Sequence, residues 1–245
     1  MNYLDELQDK IKTFNNGTFP KVLVGAPNNV RKDYILERYI NRLKELSYQN
    51  YEIVLADNSK DDTYKSKIEG FGIKCLKTAW YEGSRARIVE SRNAIRQYML
   101  DNNFDYYLSI EADVIPPRDI IEQLLQHNKE IVGGWYYVCD PGKARPCIGS
   151  TWTLVDGDKL INNPPVGNQM GMYRLIKVFL GSMGIMLFKR NVMEKIKFQV
   201  YEHFSQHDDT WFFFAAENHG FDVYVDTDLL VAHFQTPMQW EGETR

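Results

Sequence analysis

Residues 21–59, KVLVGAPNNVRKDYILERYINRLKELSYQNYEIVLADNS, hold two short apolar runs separated by a stretch of helical periodicity. Lys21 to Gly25 ends at Ala26-Pro27-Asn28-Asn29, and Tyr51 to Ala56 stops at Asp57-Asn58-Ser59. Apolar runs of this length bounded by turn formers read as buried strands. Between them Ile35, Leu36, Tyr39, Ile40, Leu43 and Leu46 recur at helical spacing, which gives the intervening helix one apolar face. A strand, about a dozen helical residues and a second strand call for a parallel pair joined by a crossover.

The alternation continues outward. Gly72 to Leu76 reads as a short strand, Arg87 to Leu100 as a helix, and Asp105 to Ile110 as a strand ending in Glu111-Ala112-Asp113. Pro116-Pro117 stops that strand and launches a helix carrying Ile120, Ile121, Leu124 and Leu125, followed by a strand from Ile131 to Val138. This order predicts an α/β fold, a single Rossmann-like, mostly parallel mixed sheet flanked by helices. From Asp140 to Met172 the chain turns to Gly, Pro, Asn and Asp-Gly, with Trp152 to Val155 as one strand of a hairpin ending at Asp156-Gly157. A long irregular stretch of this kind is usually a functional loop. Further strands are expected near Tyr173 to Phe179 and Gly184 to Phe188, a helix from Arg190 to Phe198, and a helix from Thr210 to Asn218 that closes on Gly220 before a strand from Phe221 to Val225.

Charge is near balance, with 29 basic and 33 acidic residues, so a broad cationic surface for nucleic acid or anionic lipid is not implied. The three cysteines, Cys75, Cys139 and Cys147, form no Cys-x-x-Cys pair, which argues against a disulfide framework or a thiolate zinc site. The opening MNYLDELQDKIKTF has the pattern of an amphipathic helix and lacks the apolar core of a signal peptide. No window approaches the ~20 apolar residues of a membrane span. The expectation is a cytoplasmic chain with no integral membrane segment.

In open parallel sheets, ligands bind beyond the carboxyl ends of the strands, and here three such ends are polar: Ala26-Pro27-Asn28, Asp57-Asn58-Ser59 and Glu111-Ala112-Asp113. Glu111 and Asp113 are two apart, so in an extended segment both carboxylates share a face and repel unless a cation sits between them. Such hard oxygen ligands suit Mg²⁺ or Mn²⁺ while leaving positions for substrate phosphates. The bland alternative is a pair of solvated acids beginning a loop.

Taken together and in order, VLVGAPNN, IVLADNSKDDT, YYLSIEADVIPP and GSMGIMLFKR followed by HDDTWFFFAAENHGFDVYVDTDLLVAHF resemble the family 2 type of glycosyltransferase with the GT-A fold, over residues 21–235. The resemblance implies one domain over 1–245, with a nucleotide-binding half at about 20–115 and an acceptor-binding half at about 116–240. It implies a metal-dependent enzyme that moves a sugar from a UDP- or GDP-sugar to a hydroxyl of a saccharide, lipid-linked or small-molecule acceptor. Ala26, Pro27 and Asn28 would line the nucleotide pocket, Asp57 would accept hydrogen bonds from base or ribose, and Arg92 and Asn93 would approach the donor sugar or diphosphate. In Glu111-Ala112-Asp113, where the family commonly has Asp first, Asp113 would ligate the metal directly and Glu111 would reach it through water or bind ribose. His233 would complete the metal site, and an imidazole suits Mn²⁺ better than Mg²⁺.

By the same resemblance Asp208-Asp209 stands where relatives carry the general base. Asp209 is the expected base, and an acid at a helix N-terminus is held ionised; Asp208 as a plain helix cap is the competing reading. Gly181 and Ser182 match a small-residue turn that in relatives contacts the acceptor or donor sugar, and Trp135, Tyr136, Tyr137 and Trp152 could stack on sugar faces, with Trp135 and Trp152 expected at the acceptor. An Asp base implies inversion, although retaining enzymes also use this fold. A sugar nucleotidyltransferase would share the sheet and acidic site, but its glycine-rich basic signature is missing from GAPNNVRK. An inactive carbohydrate-binding domain is disfavoured by the acids at 113 and 209. His203 and His207 sit four apart as in zinc sites, but Phe204 stands where a zinc protease needs Glu.

Overall fold

A computed structural model of the chain describes residues 3–140, 143–147, 151–155, 159–163, 174–201 and 207–234, with side chains over 139–163 outside that description. The strands are β1 (Val22–Asn28), β2 (Tyr51–Asp57), β3 (Lys74–Lys77), β4 (Tyr106–Ile110), β5 (Val114–Ile115), β6 (Ile131–Asp140), β7 (Lys143–Cys147), β8 (Thr151–Val155), β9 (Lys159–Asn163), β10 (Leu175–Val178), β11 (Ile185–Lys189), β12 (Val223–Leu230) and β13 (Ala232–His233). The helices are α1 (Tyr3–Phe14), α2 (Leu36–Lys44), α3 (Thr63–Gly70), α4 (Ser84–Asp101), α5 (Ile120–Leu125), α6 (Arg190–Lys195) and α7 (Asp208–Asn218).

The main sheet runs β10-β12-β6-β11-β4-β1-β2-β3, with β7 hydrogen-bonded to β6. Strands β3, β2, β1 and β4 are mutually parallel; β11 is antiparallel to both β4 and β6, and β12 is parallel to β6. The mostly parallel mixed sheet expected from the sequence is therefore present. The chain steps outward from β1 to β2 and β3, then returns to place β4 on the other side of β1, which opens a crevice at the carboxyl ends of β1 and β4.

Period-two alternation decides the two cores. Val22 and Val24 face Leu36, Tyr39, Ile40 and Leu43 of α2, in a cluster that also holds Ile11 of α1 and Ile120, Ile121 and Leu124 of α5. Leu23 faces the opposite way, into a cluster with Ile95 and Met99 of α4, Val192 and Met193 of α6 and Phe212 and Phe213 of α7. Each fully buried side chain of this size is worth about 1.5–3 kcal/mol of transfer free energy.

Most differences from the sequence reading lie at element ends. Strand β1 runs on through Pro27 to Asn28, and β12 reaches Leu230 past a register shift after Val225. Helix α3 was not anticipated, because only Tyr64 and Ile68 mark its buried face. The expected hairpin at Trp152 is β8 paired with β9, and Gly220 ends α7 with a left-handed φ of 75°. The stretch read as irregular carries β7, β8 and β9 among its described residues.

Candidate active site

Strand β4 delivers Ile110 into the core, where its carbonyl accepts a hydrogen bond from the buried Tyr39 hydroxyl at 2.6 Å, and the chain then turns so that Val114 N–H reaches the Glu111 carbonyl at 2.9 Å. That turn presents Glu111, Ala112 and Asp113 at the strand's carboxyl end. Immediately after it, β5 pairs antiparallel with β13, placing Val114 opposite His233. Phe234 N–H donates to the Asp113 carbonyl at 2.8 Å. Two segments remote in sequence are thus locked by backbone bonds, with the His233 and Asp113 side chains on the same cleft.

The cleft, of about 560 Å³, is lined by Pro27, Asn28 and Asn29 from the end of β1, by Arg31 and Lys32 from the single 3₁₀ turn Val30–Lys32, and by Asn58 beyond β2. Ser84, Arg87, Ile88 and Arg92 of α4, Glu111 to Asp113, Tyr136 and Val138 of β6, His207 and His233 complete it. Its acids therefore face four cationic side chains and the first turn of α4, the end of a helix that favours an anion.

Asp113 is 4% exposed, and its Oδ2 is met by Lys32 Nζ and, at 3.5 Å, by His233 Nε2. Burial favours the neutral acid, but His233 and Lys32 outweigh it and hold the carboxyl below the usual carboxylate range. His233 Nδ1 lies 3.0 Å from the Tyr137 carbonyl, which can only accept, so the ring N–H donates there and Nε2 is directed at Asp113. Burial disfavours the imidazolium; Asp113 outweighs it and raises the ring's pKa above the ordinary value.

Behind this pair runs a second set of charges. Arg92, 3% exposed on α4, places Nη2 2.9 Å from Glu111 Oε1 and Nε 2.8 Å from Asp208 Oδ2, an ion pair at each end. Burial pushes the Glu111 carboxyl up, and Arg92 pulls it down less strongly. Asp208 opens α7, but the cap position belongs to His207 and no side chain closes the helix end; Asp208 is buried by Arg92 instead, which removes the plain-cap reading. Asp209, partly exposed, accepts from Thr210 N–H at 2.7 Å, and burial together with the Asp208 charge raises its carboxyl above the usual range.

Several expected site residues stand elsewhere. The Asp57 carboxylate is fully buried, accepting from Lys77 Nζ at 2.8 Å and Ser59 N–H at 2.8 Å, so it is committed to the fold; Asn58 faces the cleft in its place. Ala26 is buried and is not among the residues lining the cleft. Asn93 points away, donating to the Phe198 carbonyl at 2.9 Å and accepting from its N–H at 3.0 Å. Glu111 stays on the cleft beside Asp113, its Oε1 paired with Arg92.

Trp135 is buried, with its indole N–H donating to the Thr227 carbonyl at 2.8 Å; because strand side chains alternate, the neighbouring Tyr136 is the one on the cleft. Gly181 lies against Met186 and Phe213, and the Ser182 hydroxyl is hydrogen-bonded to Tyr136, so neither lines the cleft. A side chain at Gly184 would fall 2.4 Å from the Tyr136 ring, which is how that ring packs over the turn. The side chain of Trp152 lies outside the described residues, as does His203. The sequence reading missed Arg31, Lys32 and Arg87. Their signal was present as basic residues just after the first strand and at the head of the helix before β4, but a search for glycine-rich loops passes over it.

Whether a divalent cation fits can be judged from the donors. Among the described residues no group of three or more His, Cys, Asp or Glu side chains is gathered to hold a metal. Asp113 and His233 supply one carboxylate and one imidazole, a pair suited to Mn²⁺ with the remaining positions left to phosphate oxygens and water. The bond from Nδ1 to Tyr137 is the outer contact that fixes a ligating histidine. Cys75 is buried and no described helix is long and apolar enough to cross a membrane.

No protein-family model matches the chain, and no curated protein matches it by sequence. Among solved structures it is similar to GalNAc-T7 with UDP, GalNAc and Mn²⁺, at a TM-score of 0.65 and 12% identity over 89% of this chain and 44% of that one. It is also similar to the mannosyltransferase PcManGT from Pyrobaculum calidifontis in complex with GDP-Man and Mn²⁺, at a TM-score of 0.59 and 15% identity over 94% of this chain and 62% of that one. The chain thus spans less than two thirds of either protein. At these identities the likeness establishes the fold, which is GT-A.

Proposed function

We propose that the chain is a glycosyltransferase of the family 2 kind, moving a sugar from a nucleoside-diphosphate sugar to an acceptor hydroxyl. The observation that carries this reading is the composition of one cleft at the β1/β4 switch point. A carboxylate and imidazole pair, Asp113 and His233, faces Arg31, Lys32, Arg87 and the first turn of α4. Carboxylate and imidazole suit a divalent cation, while guanidinium, ammonium and the positive end of a helix suit a diphosphate; few substrates other than a metal-bound nucleoside diphosphate need both together. The two similar structures, solved with UDP or GDP-Man and with Mn²⁺, carry the same ligand chemistry.

Asp113 and His233 would hold Mn²⁺ or Mg²⁺, which when bound neutralises the diphosphate oxygens as a Lewis acid. Arg31, Lys32, Arg87 and the N–H groups of α4 orient the diphosphate. Arg92 pairs with both Glu111 and Asp208 and holds them in place, and Glu111, which lines the cleft, would take a ribose hydroxyl. Asp209 is the general base: the bond between the anomeric carbon and the diphosphate oxygen breaks with its electron pair leaving on the diphosphate, the acceptor oxygen bonds to that carbon, and its proton passes to Asp209. A carboxyl lifted above the ordinary range is a stronger base than a free aspartate. This order of events inverts the anomeric centre.

The test is incubation of purified protein with Mn²⁺ and a panel of UDP- and GDP-sugars. Release of nucleoside diphosphate, with sugar appearing on an acceptor or in water, supports the proposal. Pyrophosphate as the product would assign nucleotidyl transfer instead, and binding of nucleotide sugars with no turnover on any acceptor would reduce the chain to a carbohydrate-binding domain.

A further inference from the structure

The contact between Lys32 and Asp113 bears on how such a cleft is loaded. Lys32 Nζ sits on Asp113 Oδ2, the same oxygen that His233 Nε2 approaches at 3.5 Å, so the ammonium occupies the side of the carboxylate where a cation shared by Asp113 and His233 would bind. Its side chain is 34% exposed whereas that of Asp113 is 5% exposed. Lys32 also ends a single 3₁₀ turn with no buried residue. Moving the ammonium therefore requires rotation about its own side-chain bonds and disturbs no packed element.

We propose that Lys32 is a tethered cation that competes with the divalent metal for Asp113 and changes partner when a diphosphate arrives; this rests on the function proposed above. Asp113 is the carboxylate Lys32 is paired with, whereas Glu111 is paired with Arg92. A metal entering alone would strand the displaced ammonium beside a divalent charge, in a cleft that also holds Arg31, Arg87 and Arg92. A metal entering with a nucleoside diphosphate brings anionic oxygens on which Lys32 can settle, so neither positive charge is left unpaired. Metal and nucleotide binding are then coupled through one side chain, and by linkage each strengthens the other equally.

The experiment is titration of Mn²⁺, followed by electron paramagnetic resonance, into wild type, Lys32→Met and Lys32→Arg, each without nucleotide and with saturating UDP or GDP. Lys32→Met should bind Mn²⁺ alone roughly fivefold or more tightly than wild type, and should show a smaller gain on adding nucleotide. Lys32→Arg, which keeps the charge, should bind Mn²⁺ alone about as weakly as wild type. Equal Mn²⁺ affinity for wild type and Lys32→Met without nucleotide overturns the inference while leaving the glycosyl-transfer reading standing. Absence of Mn²⁺ binding by every form, with or without nucleotide, overturns both.

Discussion

His233 Nε2 lies 3.5 Å from Asp113 Oδ2 because a two-residue ladder, Val114–Ile115 against Ala232–His233, ties the end of the chain's last described strand to the turn after β4. The ladder makes the site a joint product of two segments distant in sequence, and the site's chemistry depends on that junction staying closed.

Asp113→Asn should remove most metal-dependent turnover. Losing the ionised ligand forfeits several kcal/mol of charge stabilisation, so a fall of about a hundredfold or more is expected. Helix and sheet content by circular dichroism should be unchanged, since Asp113 belongs to a turn rather than to either core. Full activity in this variant would remove the cleft from consideration.

Asp209 and Asp208 separate by their pH profiles. The Asp208 charge helps to raise the Asp209 carboxyl, so Asp208→Asn should move the acidic limb of kcat/KM to lower pH, while Asp209→Asn should abolish most turnover and keep nucleotide affinity. In the window between the ordinary aspartate value and the raised one, the folded chain holds the proton that the unfolded chain has lost. This group's contribution to stability therefore falls as pH rises through that window. An unmoved limb in Asp208→Asn would sink the assignment of the base.

Trp135 and Tyr136, adjacent on β6, should give opposite phenotypes. Trp135→Phe loses the hydrogen bond to the Thr227 carbonyl and part of a buried ring, and should destabilise by about 1–3 kcal/mol with rates near wild type. Tyr136→Ala should chiefly raise KM for donor or acceptor. Thermal denaturation alongside steady-state kinetics reads both, and a Trp135 variant that is stable but inactive would contradict the placement.

Asp226 offers a test of stability away from the cleft. Its carboxylate is fully buried, 2.7 Å from His127 Nε2 and 3.3 Å from Arg174 Nε. Burial alone would raise its pKa, yet His127 holds it below the ordinary value. The stability this adds is present above the unfolded value near 3.8 and is lost as pH falls through the folded one. Asp226→Ala should cost about 3–5 kcal/mol, lower Tm, and flatten the loss of stability in acid; an unchanged acid-unfolding curve would show the cluster to be idle.

The sequence determined the alternation of most strands and helices, the parallel β1–β2 pair and the polar strand ends, because buried apolar periodicity and turn residues are local signals. It also marked Asp113 and His233 as residues of interest. Only the tertiary structure decided which polar groups face a ligand. Asp57 was taken up by Lys77 and Asn93 by the Phe198 backbone, while Lys32, Arg87 and Asn58 came to the cleft. The physical reason is that a buried charge or amide must find a partner, and that partner is chosen by through-space proximity that sequence spacing does not encode. One-residue alternation along β6 then sent Tyr136 to the cleft and Trp135 into the core, a choice settled by the register with β11 and β12 rather than by either side chain's own preference.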